Sequence, residues 1–349
     1  MGSLNPNHEL LYVTQDTPHL PTANPPLIHS LFGSLQQPFP TMAATTTKQQ
    51  PPAFLTPLTI PAKTNHTHTL IFLHGRGDSA SVFGPAFTAD LTASRKYPHL
   101  KLVFPTPSET FSCTFRRHIA QWFDFYNGTD PKSYTPTQLD GLRAVVEHIH
   151  TLIEDEVAAG IPAENILLGG LSQGAAVALV ALLLGGRRLG GVLGLSGWLP
   201  FALEIRRELA RKGMPVGAVV TGTRDVDVPV WDADEGFKLQ ERTRVLGVLR
   251  ERVLGQDAFE EDVVSQVLKT PAWLGHGDSD EVVKYLVGRE IYGGLKALGM
   301  DVVWRRYCGL PHRMKVCLLS LVVKAIWTDD SRYPTRSMIL PDFGSRVVV

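Results

Sequence analysis

The sequence predicts an α/β fold, a doubly wound and mostly parallel sheet with helices on both faces. Three observations support that expectation. Six short β-rich runs recur, most of them closing on glycine or proline: Thr69–Gly75, Lys101–Pro105, Asn165–Gly170, Gly191–Gly197, Ala272–Gly277 and Val302–Tyr307. They are apolar almost throughout, as suits strands buried on both faces of a parallel sheet. Helical patterns lie between them, and alternating strands and helices wind such a sheet through short crossovers.

In chain order, residues 1–61 come first. They hold 11 of the 25 prolines but only three charged side chains (Glu9, Asp16, Lys48), with no helical or strand periodicity. The expectation is a disordered Pro/Thr-rich extension. It has neither the basic-then-apolar order of a secretory signal nor the arginines of a mitochondrial presequence, and Pro6 stands where a myristoylation signal wants Ser or Thr. Met42 is an alternative start of translation. Residues 62–326 form the expected folded domain. Its clearest helix carries Leu139, Leu142, Val146, Ile149 and Ile153 at i+3/i+4 spacing, with Thr137 as N-cap and Gly160 just past the end. Gly174–Leu184 and Glu281–Leu298 read as two more helices.

Residues 201–269 break the alternation. They hold 11 Lys+Arg and 13 Asp+Glu, far above the chain-wide charged fraction of 19%. The stretch is too long for an ordinary connection, so a helical, solvated insertion is expected. After Val316 an apolar segment, Cys317–Ile326, leads into an irregular tail over residues 327–349.

The charges balance at 34 Lys+Arg against 34 Asp+Glu, with a pI near 7.2. That gives no electrostatic reason to expect nucleic acid or an anionic membrane as the main partner. Ala175–Leu184 is the longest apolar stretch and falls well short of the roughly 18 residues of a bilayer span. Three cysteines (Cys113, Cys308, Cys317) without C-x-x-C spacing suggest neither a disulfide framework nor a structural zinc site, and fit a reducing, cytoplasmic compartment. No G-x-G-x-x-G follows the first strand, and no metal is expected.

The chemistry centres on Gly170-Leu171-Ser172-Gln173-Gly174, a G-x-S-x-G motif with a strand before it and a helix after it. Small neighbours let the Ser172 hydroxyl project from a sharp turn, and the helix N-terminus aims amides at a developing oxyanion. The loop His74–Asp78 follows the first strand and suits a second oxyanion donor; the proposed donors are the backbone N–H groups of Arg76 and Gln173. After Ser172 only His276 and His312 remain as bases. His312 follows the last strand, and Asp280 stands between a strand end and a helix, so Ser172, Asp280 and His312 are preferred. Asp278 is the nearest alternative acid. Asp225, after the strand-like run Val216–Thr221, would pair with His276 instead.

Together these motifs resemble the phospholipase/carboxylesterase family of α/β-hydrolases, and its fungal, acyl-protein thioesterase-like branch in particular. The matching segments are LIFLHGRGD (Leu70–Asp78), VFPTP (Val103–Pro107), QWFDF (Gln121–Phe125), GGLSQGAA (Gly169–Ala176), GLSGWLP (Gly194–Pro200), LGHGDSDEVV (Leu274–Val283) and YCGLPH (Tyr307–His312). The resemblance implies an α/β-hydrolase fold with Ser172 as nucleophile, Asp280 as acid and His312 as base. Arg76 and Gln173 become oxyanion donors. It also implies hydrolysis of carboxylic esters and thioesters without a cofactor, on S-acylated proteins, lysophospholipids or small esters. Phe111, Phe115 and Ile119 recur every four residues where family members carry an apolar flap, so they could line an acyl groove with Trp122, or pack as a short core helix. Arg116 and Arg117 beside them would meet an acidic headgroup or solvent. Arg76 stands where leucine is common in the family, and its charge would alter the entrance. The rival reading is a catalytically idle α/β-hydrolase that serves as a binding or scaffold module.

Overall fold

The computed structural model describes residues 51–90, 97–125, 136–210 and 237–312, and the two-residue strand Val347–Val348. Ten strands occur among them: β1 (Phe54–Ile60), β2 (His68–Leu73), β3 (Leu100–Pro107), β4 (Glu109–Ser112), β5 (Arg117–Ala120), β6 (Ile166–Leu171), β7 (Gly191–Leu195), β8 (Ala272–Gly277), β9 (Val302–Tyr307) and β10 (Val347–Val348). Seven helices accompany them: α1 (Ala80–Asp90), α2 (Pro136–Ala158), α3 (Gln173–Leu183), α4 (Ala202–Ala210), α5 (Leu239–Leu254), α6 (Glu261–Leu268) and α7 (Tyr285–Ala297).

Eight strands make one sheet in the order β1-β3-β2-β6-β7-β8-β9-β10. The pairs from β3 through β9 are parallel, and the edge strands β1 and β10 run antiparallel. All six expected strands are present, within a residue or two at each end. Burial on both faces explains their apolar sequences. Along β2, Leu70 and Phe72 enter one core with Phe83 and Phe87 of α1, whereas Ile71 and Leu73 enter the other, with α2 and α3. Every residue of α3 is buried, so it is apolar all round rather than amphipathic. Among the described residues, no helix is long and apolar enough to cross a membrane.

Sheet order reverses between β2 and β6. In an open α/β sheet such a switch leaves a crevice beyond the carboxyl ends of the two strands. The loop with Arg76 leaves β2 there, and Ser172 leaves β6 beside it, Leu73 pairing with Gly170.

Four expectations need correction. Residues 1–61 are not wholly a disordered extension, because Phe54–Ile60 forms β1; residues 1–50 lie outside the described residues. Pro57 hides the strand, yet proline is tolerated on a sheet edge at a register irregularity, and the β1–β3 register shifts between Leu55 and Leu58. Thr137 does not cap α2, which starts at Pro136, where a missing N–H loses nothing. The tail 327–349 contributes β10, which pairs Val347 and Val348 with Tyr307 and Arg306; Cys317–Ile326 lies outside the described residues.

The fourth concerns residues 201–269. Their described part is helical as expected, but it is not a solvated excursion. Ile205, Leu209, Val245, Leu246, Leu249, Val253, Val264 and Leu268 share the main core with Ile149 and Ile153 of α2. Within the described part these helices are amphipathic, so charge density alone misrepresented it. Leu246 is fully buried. Leu246→Ala should therefore lower the unfolding free energy in denaturant titration by about 2–5 kcal/mol, whereas a solvated helix would lose well under 1 kcal/mol.

Candidate active site

Ser172 caps α3 with φ 54° and ψ −120°, a backbone region that side chains other than glycine rarely adopt. Such strain costs about 1–3 kcal/mol and persists only where the surroundings enforce it. Here they do. A Cβ on Gly170 would strike the backbone of Gly174, and one on Gly174 would strike the carbonyls of Leu73 and His74. The Ser172 N–H donates to Leu195 O (2.8 Å), while its carbonyl accepts from the Ala175 and Ala176 N–H groups (3.0 and 3.2 Å). The Gln173 N–H belongs to the first helical turn and has no intrahelical acceptor.

The Ser172 hydroxyl donates to His312 Nε2 at 2.9 Å. On the other side of the ring, His312 Nδ1 lies 2.8 and 3.0 Å from the two oxygens of Asp280. A carboxylate only accepts, so Nδ1 carries the proton and Nε2 is free to take one. The Asp280 side chain is fully buried. Burial pushes its pKa up, but hydrogen bonds from His276 and His312, electrostatic attraction to His312 and the Val283 N–H prevail, holding the carboxyl well below its usual range. The Val282 and Val283 N–H groups both donate to Asp280 Oδ1, at 2.9 and 2.8 Å. Those bonds form a turn before any helix begins, which is why α7 starts at Tyr285 and not at Glu281.

Two of the alternatives considered from sequence, Asp278 and His276, have other partners. Asp278 accepts from Arg306 Nε (3.1 Å) and from the Gly309 N–H (2.7 Å), fastening the acid loop to the histidine loop. Burial opposes its ionisation, and these partners outweigh that and lower its pKa. His276 is fully buried and shares its Nε2–H between Val283 O (2.8 Å) and Asp280 Oδ2 (3.2 Å). It is thus a second imidazole on Asp280, and that arrangement was missed in the sequence. Asp225 and the run Val216–Thr221 lie outside the described residues.

The loop after β2 lies against Ser172. A methyl group on Gly75 would sit 3.7 Å from Ser172 Cβ. The next amides are used within the protein, Gly77 N–H to Ala120 O (2.7 Å) and Asp78 N–H to Gly75 O (3.3 Å). Trp122 is fully buried, and its indole N–H donates to His74 O at 2.9 Å. The Gln173 side chain accepts from the Trp122 N–H (3.1 Å) and donates to Phe123 O (2.6 Å). Trp122 therefore supports the site from within and lines no groove, contrary to the expectation. The Phe111–Ile119 spacing is no helix either. It belongs to the antiparallel β4–β5 hairpin, where Phe111 and Phe115 are 42% and 54% exposed and Ile119 is buried. Turn residues between two short strands happened to mimic a four-residue repeat. Arg116 and Arg117 are exposed on that hairpin.

Arg76 also departs from expectation. Its side chain, 9% exposed, turns inward to Asp124 (Nη2–Oδ1 3.1 Å) instead of presenting charge at the entrance. Burial pulls its pKa down to about 10 against the pull of Asp124, so the guanidinium stays charged at neutral pH.

Known proteins share much of this sequence and its fold. Residues 56–230 match the family model described as Phospholipase/Carboxylesterase, a span that includes Ser172 and Arg76 but ends before Asp280 and His312. The chain is 29% identical to acyl-protein thioesterase 1 of Yarrowia lipolytica over 260 residues, covering 72% of this chain and 88% of the relative. It is 37% identical to acyl-protein thioesterase 1 of Schizosaccharomyces pombe over 166 residues, 47% of this chain and 71% of the relative. The crystal structure of Zea mays acyl-protein thioesterase 2 shares the fold with a TM-score of 0.53 at 24% identity, covering 77% of this chain and 98% of that one.

The depressed Asp280 pKa has a thermodynamic consequence. Its stabilising contribution is fully present above the unfolded carboxyl value of about 4, and is lost as pH falls through the folded value. Asp280→Asn should therefore reduce stability by about 1–3 kcal/mol at pH 7, with the gap to wild type narrowing below about pH 4. Denaturant titrations across pH would show it; a gap constant from pH 7 to 3 contradicts an ionised Asp280.

Proposed function

Since the chain belongs to the phospholipase/carboxylesterase family of α/β-hydrolases, we propose that Ser172, His312 and Asp280 are the nucleophile, base and acid with which it works. The family activity, hydrolysis of carboxylic esters and thioesters by a serine nucleophile, is the activity of this chain. The observation that carries the residue assignment is the continuous hydrogen-bonded chain from Ser172 Oγ through the His312 ring to Asp280.

The hydrogen-bonded chain supports a two-stage acyl transfer. His312 Nε2 takes the Ser172 proton as Oγ forms a bond to the acyl carbon. The carbonyl electron pair moves to oxygen, where the N–H groups of Gln173 and Arg76 receive it. As the tetrahedral species collapses, the bond to the leaving group breaks and His312 returns the proton to the departing alcohol or thiol. Water then repeats the sequence on the acyl-enzyme and releases the carboxylic acid. Asp280 keeps the proton on Nδ1 and stabilises the imidazolium that forms at each stage.

For the substrate we favour acyl thioesters on protein cysteines, following the name shared by several relatives, with lysophospholipids and small esters as further acyl donors. The exposed Phe111 and Phe115 offer apolar surface for an acyl chain. The three cysteines without C-x-x-C spacing suit a reducing, cytoplasmic setting. An idle scaffold has no need for this hydrogen-bonded chain to be intact.

A fluorophosphonate probe should label the wild type and fail to label Ser172→Ala; retained labelling would sink the assignment. With a p-nitrophenyl acyl ester, Asp280→Asn should lower kcat by about four orders of magnitude, because the imidazole then adopts the wrong tautomer. Phe115→Ala should shift the preferred acyl-chain length with little loss of stability, as its ring is more than half exposed.

A further inference from the structure

We propose that the Arg76 side chain is a latch that holds the Arg76 backbone N–H in place as an oxyanion donor, by tying the loop after β2 to the β4–β5 hairpin. The inference rests on the reading of Ser172 as nucleophile and of that N–H as donor.

The loop needs such a restraint. Arg76 lies between Gly75 and Gly77, and Gly77 has φ 81°, so this backbone has wide conformational freedom of its own. An oxyanion donor contributes most when it is already fixed before charge develops. The Arg76 side chain supplies the fixing. Its Nε donates to Gln121 Oε1 (2.9 Å), and Nη2 donates to Ser112 Oγ (2.7 Å) and pairs with Asp124 Oδ1 (3.1 Å). A longer contact joins Nη1 to Thr114 Oγ1 (3.5 Å). The guanidinium also lies near two aromatic rings, 4.1 Å from the Phe125 centroid and 4.9 Å from that of Phe115.

These partners lie on β4, on the hairpin turn and on the segment that follows β5. Asp124 additionally accepts from the Cys113 N–H (3.1 and 3.3 Å), and Gln121 Nε2 donates to Thr110 Oγ1 and Phe111 O (3.1 Å each). The planar fork of arginine is what meets several acceptors and two ring faces at once; a lysine ammonium is a single point and cannot. Because Phe115 packs on the same guanidinium, the hairpin surface offered to an acyl chain and the donor at the reacting carbonyl are held by one group. Arg76 is in this sense a positioning residue through its side chain, distinct from the role of its backbone.

The test uses the full chain, a p-nitrophenyl acyl ester, and a trifluoromethyl ketone. The ketone adds to Ser172 Oγ and places an oxyanion where the donors act, so its affinity reports the donors directly. Arg76→Leu alone leaves Asp124 buried without its partner and is prone to unfold, so the decisive variant is the double substitution R76L/D124L, which removes both buried charges. It should keep the wild-type melting temperature to within a few degrees. Its kcat should fall about 10- to 100-fold with KM changed less than threefold, and ketone affinity should fall by the same factor as kcat/KM. Arg76→Lys should lose at least tenfold in kcat despite keeping the charge. A folded R76L/D124L variant with wild-type kcat and ketone affinity overturns the latch alone. A wild-type protein that neither turns over the ester nor labels at Ser172 overturns the reading of the site, and the latch with it.

Discussion

The turn at Ser172 is the constraint around which the rest of the site is arranged. A side chain at φ 54° is tolerable only if the chain on either side can approach very closely. Gly170 and Gly174 permit that approach, and the Ser172 N–H bond to Leu195 O binds the turn to β7. The fully buried α3 then locks the turn from behind, since tilting it would open the core between α2 and the sheet. Strain at one residue is thus held by packing across a whole face of the molecule. The outcome is a hydroxyl fixed at the sheet's switch point, beside the Gln173 N–H, which has no intrahelical acceptor.

Around that point the protein divides electrostatic tasks among closely spaced carboxylates. Asp278 and Asp280 are two residues apart, yet one fastens loops and the other holds His312. Partner geometry makes the difference. Asp278 is reached by Arg306 and the Gly309 N–H, Asp280 by two imidazoles and two backbone amides. Asp124 is a third such carboxylate, buried because Arg76 accompanies it. Unpaired, each of these charges would be expensive to bury; paired, each sets the position of a group that faces the crevice.

Much of this was legible from residue order. Apolar runs buried on both faces identified six strands, and the G-x-S-x-G turn with its flanking elements located Ser172. Legibility failed where local pattern and tertiary environment disagree. Pro57 argued against a strand, but an edge strand with a register shift accommodates it. The 201–269 segment was judged by its charge, although its apolar positions fall on the inner faces of α4, α5 and α6. The Phe111–Phe115–Ile119 spacing imitated a helix because two short strands and their turn place aromatics four apart. Trp122, an aromatic in a motif near the site, was read as lining and proved to be support.

The sequence by itself determined the fold class, the strand succession and the turn that carries Ser172, because these depend on periodicity and on residues adjacent in the chain. It narrowed the acid and the base to a few candidates. Choosing among them required distances across the sheet: His312 is 140 positions from Ser172, and only the pairing of β6 through β9 brings the two together. The inward turn of Arg76, the second imidazole on Asp280 and the anchoring by Gln173 were likewise decided by tertiary structure. Each depends on which buried donor meets which acceptor, a choice made when the elements pack and not when the chain is written.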